Sequence, residues 1–532
     1  MPRILMVTSE ATPFVKTGGL GDVLGALPAA LVERGEEVAV VLPRYRVAEI
    51  PAADRIWDAM PLWVGSHYFT AAIDLITSKG VRYYFVDCPP LYDRTGIYGD
   101  HGVDYPDNHV RFGLLNRAAL GIARHIFKTD IFHCHDWQAA LLAPYLRALA
   151  GDPTFFGVKT VLTIHNLGYQ GIFPAAALSD LGLDRSQFHP GGLEFYGNVS
   201  FLKAGIVWSD AITTVSPTYA KEIQTPEYGG GLDGVLRSRA DKVTGILNGV
   251  DYREWDPRND PYIAAPYSRD DLAGKAACKR ALLQEMFPDL VKEKLPETGL
   301  PAESRPVDSG PVDSKLDTST SATSAVSRPA DSRPVSSDDL DGALGKAEKR
   351  PLIGIVSRLA TQKGFDIFIE IAPELFEEEV AFAVLGSGEA ALENAFRQFA
   401  QQWPDRFGVR IGYDNALAHR IEAGADMFLM PSRYEPSGLN QMYSLRYGTV
   451  PIVRATGGLE DSIDGSIREG TGFKFDGTTP EALLETIRTA LKEWRNRDAW
   501  VERMRRGMAK DFSWGASAAK YQELYRTTLA TR

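Results

Sequence analysis

The sequence predicts an α/β protein built from two doubly wound domains that face one cleft. Three observations predict it. Short β-branched runs alternate with helical patterns through both halves of the 532 residues, the signature of parallel sheets covered by helices on both faces. A strand, a glycine turn and a helix follow one another at Lys16-Thr17-Gly18-Gly19-Leu20-Gly21-Asp22. The pattern Thr-Gly-Gly-Leu-x-Asp then returns at Thr456-Gly457-Gly458-Leu459-Glu460-Asp461, again after a strand-like run and before a helix. Two such turns in two similar halves suggest two anion-friendly walls of one cleft.

In chain order, residues 3–8 form an apolar run of the length of a buried strand. Leu20, Val23, Leu24, Leu27 and Leu31 then recur at helical spacing. Adjacent glycines let backbone approach a ligand, and the first N–H groups of a helix have no internal partner. Such a helix start attracts anions, and Lys16 adds a mobile cation beside it. A tight turn with a surface lysine is the competing reading of these residues alone. Further strands are expected at 38–42, 81–86, 130–133, 160–164 and 211–215, with helices near 107–127, 137–149 and 198–209. Ligands of such sheets gather beyond the carboxyl ends of the strands, which is where Lys16, His135-Asp136 and His165-Asn166 fall.

From 295 to 348 Ser, Thr, Asp and Pro dominate, and Ser-Arg-Pro occurs three times, at 304–306, 327–329 and 332–334. So few large apolar residues cannot offset ordering entropy, so this reads as a disordered surface insertion. Strand-like runs resume at 351–356, 380–385, 408–411, 427–430 and 449–453. The expected division is a first domain over 1–250 and a second over 251–511 that contains the insertion. The C-terminal helix within 512–532 is expected to pack back on the first domain.

Composition narrows the function. A formal net charge of −11 argues against a nucleic-acid partner. An anionic substrate must therefore meet local Lys and Arg. Three cysteines, Cys88, Cys134 and Cys278, offer no disulfide framework. No apolar stretch reaches membrane-spanning length, and the N-terminus turns polar at Thr8-Ser9-Glu10. The expectation is a cytoplasmic protein without a membrane partner.

Four sites could carry chemistry. Arg358 in Ser357-Arg358-Leu359 and Lys363 in Lys363-Gly364 follow the first strand of the second half, a bidentate donor and a compact charge suited to phosphate. Glu435 lies in Pro431-Ser432-Arg433-Tyr434-Glu435-Pro436-Ser437-Gly438, where a carboxylate could bind sugar hydroxyls or steady positive charge at an anomeric carbon. A helix-start charge satisfying the dipole is its other reading. His133 and His135 share one face of a strand, yet no further ligand cluster accompanies them, which favours structural or substrate-contact roles over metal. His165 is either a hydrogen-bond partner of a transferred sugar or a core histidine. Asp-x-Asp occurs only at Asp339-Leu340-Asp341, inside the expected insertion, so a metal clamp of that kind is disfavoured.

Together with His135-Asp136-Trp137, Thr163-Ile164-His165-Asn166, Phe201-Leu202-Lys203-Ala204-Gly205, Val215-Ser216-Pro217-Thr218-Tyr219 and Leu247-Asn248-Gly249-Val250-Asp251, these strings resemble the bacterial and plant glycogen/starch synthases that use ADP-glucose. The resemblance spans nearly the whole chain outside the insertion. It implies the GT-B arrangement of two Rossmann-like domains, an acceptor domain and a nucleotide-sugar domain. The implied reaction moves glucose from ADP-glucose to the nonreducing end of an α-1,4-glucan with retention, needing no metal or other cofactor.

Carried over by position, Lys16 resembles the ADP-glucose-binding lysine, beside Gly18, Gly19 and Asp22. Arg358 and Lys363 resemble the diphosphate pair. Asp136, His165 and Asn248 match residues near the donor sugar, and Glu435 matches the acidic residue there. Gly412 and Tyr413 fall near the adenine. Thr456, Gly457, Gly458 and Leu459 would turn backbone N–H groups to the distal phosphate, and Lys275 or Lys279 would add a further charge. Two departures stand out: Ser437 replaces a common cysteine, and Tyr443 occupies the place of a second glutamate found in related families. No double-displacement nucleophile is therefore identified. A UDP-glucose enzyme, an enzyme with another acceptor and a non-catalytic glucan-binding protein are the alternatives.

Overall fold

The computed structural model describes residues 1–288 and 344–531. Its larger sheet has nine strands, in the spatial order Val243–Gly245, Ala211–Thr214, Lys159–Ile164, Ile131–His135, Arg3–Val7, Glu37–Pro43, Val81–Asp87, His67–Ser78, Asp54–Val64. The first seven run parallel. Residues Ile4–Val7 and Val38–Leu42 are buried throughout, as strands covered on both faces must be. The last two strands pair antiparallel and were not expected. Asp54–Val64 is an edge strand that exposes most of its first six side chains, so it carries no continuous apolar run.

A second sheet has six parallel strands in the order Phe407–Ile411, Ala381–Gly386, Leu352–Val356, Met427–Met430, Val450–Arg454, Phe473–Phe475. Its central strand bears Arg358 just beyond its carboxyl end. The expected helix at 198–209 begins later: Asn198–Ser200 is a strand, and Ser200 Oγ accepts the Lys203 N–H at 3.2 Å to start the helix Phe201–Trp208.

Most of the expected insertion, 295–343, lies outside the described residues. Its expected end at 348 is corrected. Residues 344–348 are helical, with Leu344 and Ala347 buried in the core of the second domain.

The chain crosses between domains at two adjacent points. Val250 N donates to Phe512 O at 2.7 Å, and Ser517 Oγ to Leu247 O at 2.7 Å. A Cβ on Gly249 would lie 2.6 Å from the backbone of Trp514, so only glycine lets the two segments pass this closely. The final helix, Trp514–Ala530, then returns to the first domain, where Tyr521 and Tyr525 are fully buried. Each buried aromatic contributes about 2 kcal/mol, enough to hold the crossover down.

Candidate active site

The first glycine turn is open. Gly18 precedes the helix Gly19–Glu33 in extended backbone, and no side chain caps it. Among the described residues the N–H groups of Gly19 and Leu20 have no partner, and a Cβ on Gly18 or Gly19 would meet nothing within 4 Å. Glu10 shapes the turn from beneath. Its carboxylate accepts Thr17 N at 2.5 Å, Thr17 Oγ1 at 2.6 Å and the Tyr98 hydroxyl at 2.5 Å. Lys16 Nζ pairs with Asp22 Oδ1 at 2.7 Å, and both side chains remain partly exposed. Burial raises the Asp22 carboxyl, against the pull of Lys16. Sequence reasoning missed Glu10, whose only signal is a carboxylate directly after the strand.

Asp136 holds the next turn together. It adopts φ +54, left-handed backbone that a non-glycine residue seldom takes, at the end of Ile131–His135. Its Oδ1 accepts the His165 N–H at 2.7 Å. Burial pushes its carboxyl up to about 7, while the His165 and Asn166 N–H groups favour the ionised form. His165 is buried, and desolvation lowers it to about 3, so its ring is neutral. Asn248 is buried nearby in sequence to the last strand of this sheet, with its Oδ1 unpartnered among the described residues.

On the second domain, a cavity of about 200 Å³ is lined by Arg358, Lys363, Ser432, Glu435 and Asn440 among others. Lys363 Nζ reaches Glu435 Oε2 at 2.5 Å, and Ser432 Oγ donates to the same oxygen at 2.9 Å. Glu435 is buried, so the lysine keeps its charge compensated. Arg358 is exposed and forms no ion pair among the described residues. The Glu435 loop approaches the first domain: the Tyr434 hydroxyl lies 3.7 Å from where a Cβ on Gly168 would stand. A second approach brings Tyr443 to Asp22 and Glu254, whose charges add to burial in raising its phenol well above the usual value. Gly412, at φ +139, and the exposed Tyr413 follow the edge strand Phe407–Ile411 and lie outside the cavity lining.

Two sets of expected donors already have partners in this structure. At the second glycine turn every N–H is already bonded: Thr456 N to Arg454 O, Gly458 N to Glu435 O and Leu459 N to Thr456 O, each at 3.0 Å. Gly457 N, together with Thr456 Oγ1, donates to Glu222 Oε1 at 3.0 and 2.8 Å. A carboxylate of the first domain thus fills the anion's role there. In return Asp461 accepts the Thr218 N–H and hydroxyl, both at 2.7 Å. Lys275 and Lys279 are also not free for a ligand. Lys275 Nζ is buried on Ala423 O, Tyr447 O and Thr449 Oγ1, and Lys279 Nζ binds Asp426 at 2.6 Å.

Among the described residues no group of three or more His, Cys, Asp or Glu side chains is placed to hold a metal ion. Among the described residues no helix is long and apolar enough to cross a membrane.

Residues 3–238 match the family model described as the starch synthase catalytic domain, and residues 336–507 that of glycosyl transferases group 1. Glycogen synthase of Koribacter versatilis is 46% identical over 100% of this chain and 99% of its own length. Glycogen synthase of Anaeromyxobacter dehalogenans is 46% identical over 99% of both chains. Among solved structures, the catalytic domain of starch synthase IV from Arabidopsis thaliana, bound to ADP and acarbose, superposes with a TM-score of 0.79 at 30% identity, covering 99% of each chain.

Proposed function

The chain belongs to the glycogen and starch synthase family of GT-B glycosyltransferases, and on that premise we propose that it moves glucose from ADP-glucose to the nonreducing end of an α-1,4-glucan with retention. Arg358 and Lys363 bind the diphosphate from the second domain, and Lys16 reaches it from the first, with the open N–H groups of Gly19 and Leu20 beside it. As the bond from the anomeric carbon to phosphate breaks, these cations take up the developing charge. Glu435 steadies the positive character left on the sugar. Asp136 and Asn248 line the sugar side, and His165 hydrogen-bonds the glucosyl group. The acceptor hydroxyl attacks from the face the phosphate leaves, its proton passing to the departing phosphate oxygen. ADP and a lengthened glucan result.

The donor-sugar side of this reading rests on the first domain, 1–250, as the acceptor side and on 251–511 as the nucleotide-sugar side. Tyr413 stacks the adenine at the edge of the second sheet. For Thr456, Gly457, Gly458 and Leu459 to meet the distal phosphate, Glu222 must first give up Gly457. A cytoplasmic location fits a substrate of this kind.

One observation carries the proposal: Lys363 pairs with Glu435 in a cavity that Arg358 also lines, and Tyr434, next to Glu435, stands against Gly168 in the turn after His165. On this reading a diphosphate-binding wall faces a sugar-binding wall, which simple glucan binding does not require. The test is incubation with labelled ADP-glucose or labelled UDP-glucose plus glycogen, followed by linkage analysis. Label in new α-1,4 linkages from ADP-glucose is expected. Preference for UDP-glucose would reassign the donor, and no transfer from either would leave a binding protein.

A further inference from the structure

Three histidines stand in a row behind the proposed sugar site. Residues two apart on a strand share a face, so Ile131–His135 brings His133 and His135 together, with ring centroids 4.1 Å apart. Both are completely buried. His133 uses both nitrogens: Nδ1 meets the Tyr525 hydroxyl at 2.8 Å, and Nε2 meets Thr163 Oγ1 at 2.6 Å. His135 uses one. Its Nδ1 lies 3.0 Å from His165 Nε2, while its own Nε2 is sealed from solvent and has no partner among the described residues.

That asymmetry decides where the protons are. Desolvation keeps all three rings neutral, so each carries a single N–H. Were the His135 proton on Nε2, a buried donor would be orphaned, at a cost of about 1–3 kcal/mol. Orphaned buried N–H groups are rarer than under-used acceptors. The proton therefore sits on Nδ1 and is donated to His165 Nε2. His165 must then carry its own proton on Nδ1, an atom with no partner among the described residues and not sealed from solvent. The His165 backbone is pinned separately by Asp136.

We infer that His135 is a positioning residue, which fixes His165 as the Nδ1–H tautomer and so makes it a hydrogen-bond donor to a hydroxyl of the transferred sugar. The inference rests on the glucosyl-transfer reading for its substrate, but its tautomer claim stands apart from activity. His133, clamped by Tyr525 of the final helix, is the wall against which His135 is held.

The decisive measurement is the ring ¹⁵N spectrum of the full-length protein labelled at its 9 histidines, with His165 assigned through His165→Gln. A pyridine-type Nε2 and a protonated Nδ1 at His165 are expected, and a protonated Nε2 overturns the inference whatever the activity. His135→Phe keeps a ring against His133 but removes the donor. Its kcat should fall about tenfold with little change in donor KM, equivalent to one hydrogen bond present only in the transition state. His135→Asn, which can still offer an N–H to His165, should recover much of that loss. Equal activity of the Phe and Asn variants, or loss that merely follows their thermal midpoints, counts against positioning. If wild-type protein shows the expected tautomer but transfers no glucose, the functional proposal fails, and with it the sugar contact, while the tautomer claim survives.

Discussion

In the proposed reading, Lys16 is the first domain's cation for the donor. Its Nζ–Asp22 bridge is short at 2.7 Å, yet the two side chains are 46% and 30% exposed, so solvent screens it and the pair contributes little to stability. The lysine is therefore free to exchange Asp22 for a phosphate. Replacing it, Lys16→Ala, should raise the donor KM about ten- to a hundredfold, the worth of one charge-assisted hydrogen bond, while glycogen affinity stays within about twofold. Initial rates against donor concentration, set beside affinity electrophoresis on glycogen, check this. Equal loss of both would mean the lysine supports the fold. The placement of Lys16, Arg358, Lys363 and Glu435 after strand ends was legible from short motifs, and their roles are the proposal. Lys275 and Lys279 were misread because a sequence reveals a lysine's charge but not its burial. Their ammonium groups are used up on backbone carbonyls, on Thr449 and on Asp426. Glu222 could not be found at all, since its partner lies 235 residues away.

The two glycine turns are alike in sequence and unlike in use. In each, a threonine hydroxyl and a neighbouring backbone N–H donate to one carboxylate. Glu10 serves the first from within its own domain, and Glu222 serves the second from across the cleft. The short helices Pro217–Glu222 and Gly457–Ser462 thereby satisfy one another's first turns, with Asp461 answering on Thr218. Asp461→Ala removes both bonds at 2.7 Å and should cost about 1–2 kcal/mol, the usual loss on deleting a capping side chain. Asp461→Asn keeps an acceptor for the N–H and a donor for the hydroxyl, so it should retain most of the stability. Thermal midpoints of the two variants are the check, and an Asn variant as weak as Ala would show that charge, not capping, holds the joint. Parallel strands were readable because burial on both faces makes each a short apolar run, as at Val38–Leu42. The hairpin of Asp54–Val64 and His67–Ser78 was not, because exposed side chains break up the first strand and the second has only the short buried stretch 71–74, which ends on a charge.

Acid should act on the two domains in opposite directions. In the first, burial lowers His133 and His165 to about 3 and His135 well below 6.5, so the folded state refuses three protons that the unfolded chain binds below pH 6.5. Asp136, raised to about 7, keeps one proton that the unfolded chain releases until pH falls near 4. The net difference is two protons, bound by the unfolded state. Stability of this domain therefore drops as pH falls below 6.5, by about 3 kcal/mol per pH unit at the steepest. In the second domain Glu422 is buried and raised to about 8, so there the folded state binds the extra proton. Its contribution grows as pH falls from 8, by about 1 kcal/mol per unit, until the unfolded carboxyl also protonates. Lys275, lowered to about 8, is charged in both states below that pH and drops out. Calorimetric scans from pH 8 to pH 5 should thus show one transition separating into two, with the first domain and its clamped C-terminal helix melting earlier. His133→Gln removes one of the three refused protons, so it should raise the lower transition at pH 5 relative to pH 8 and leave the upper one where it was. Two transitions that fall together, with His133→Gln shifting both, would mean that the buried histidines do not set the acid response and that the domains unfold as one unit.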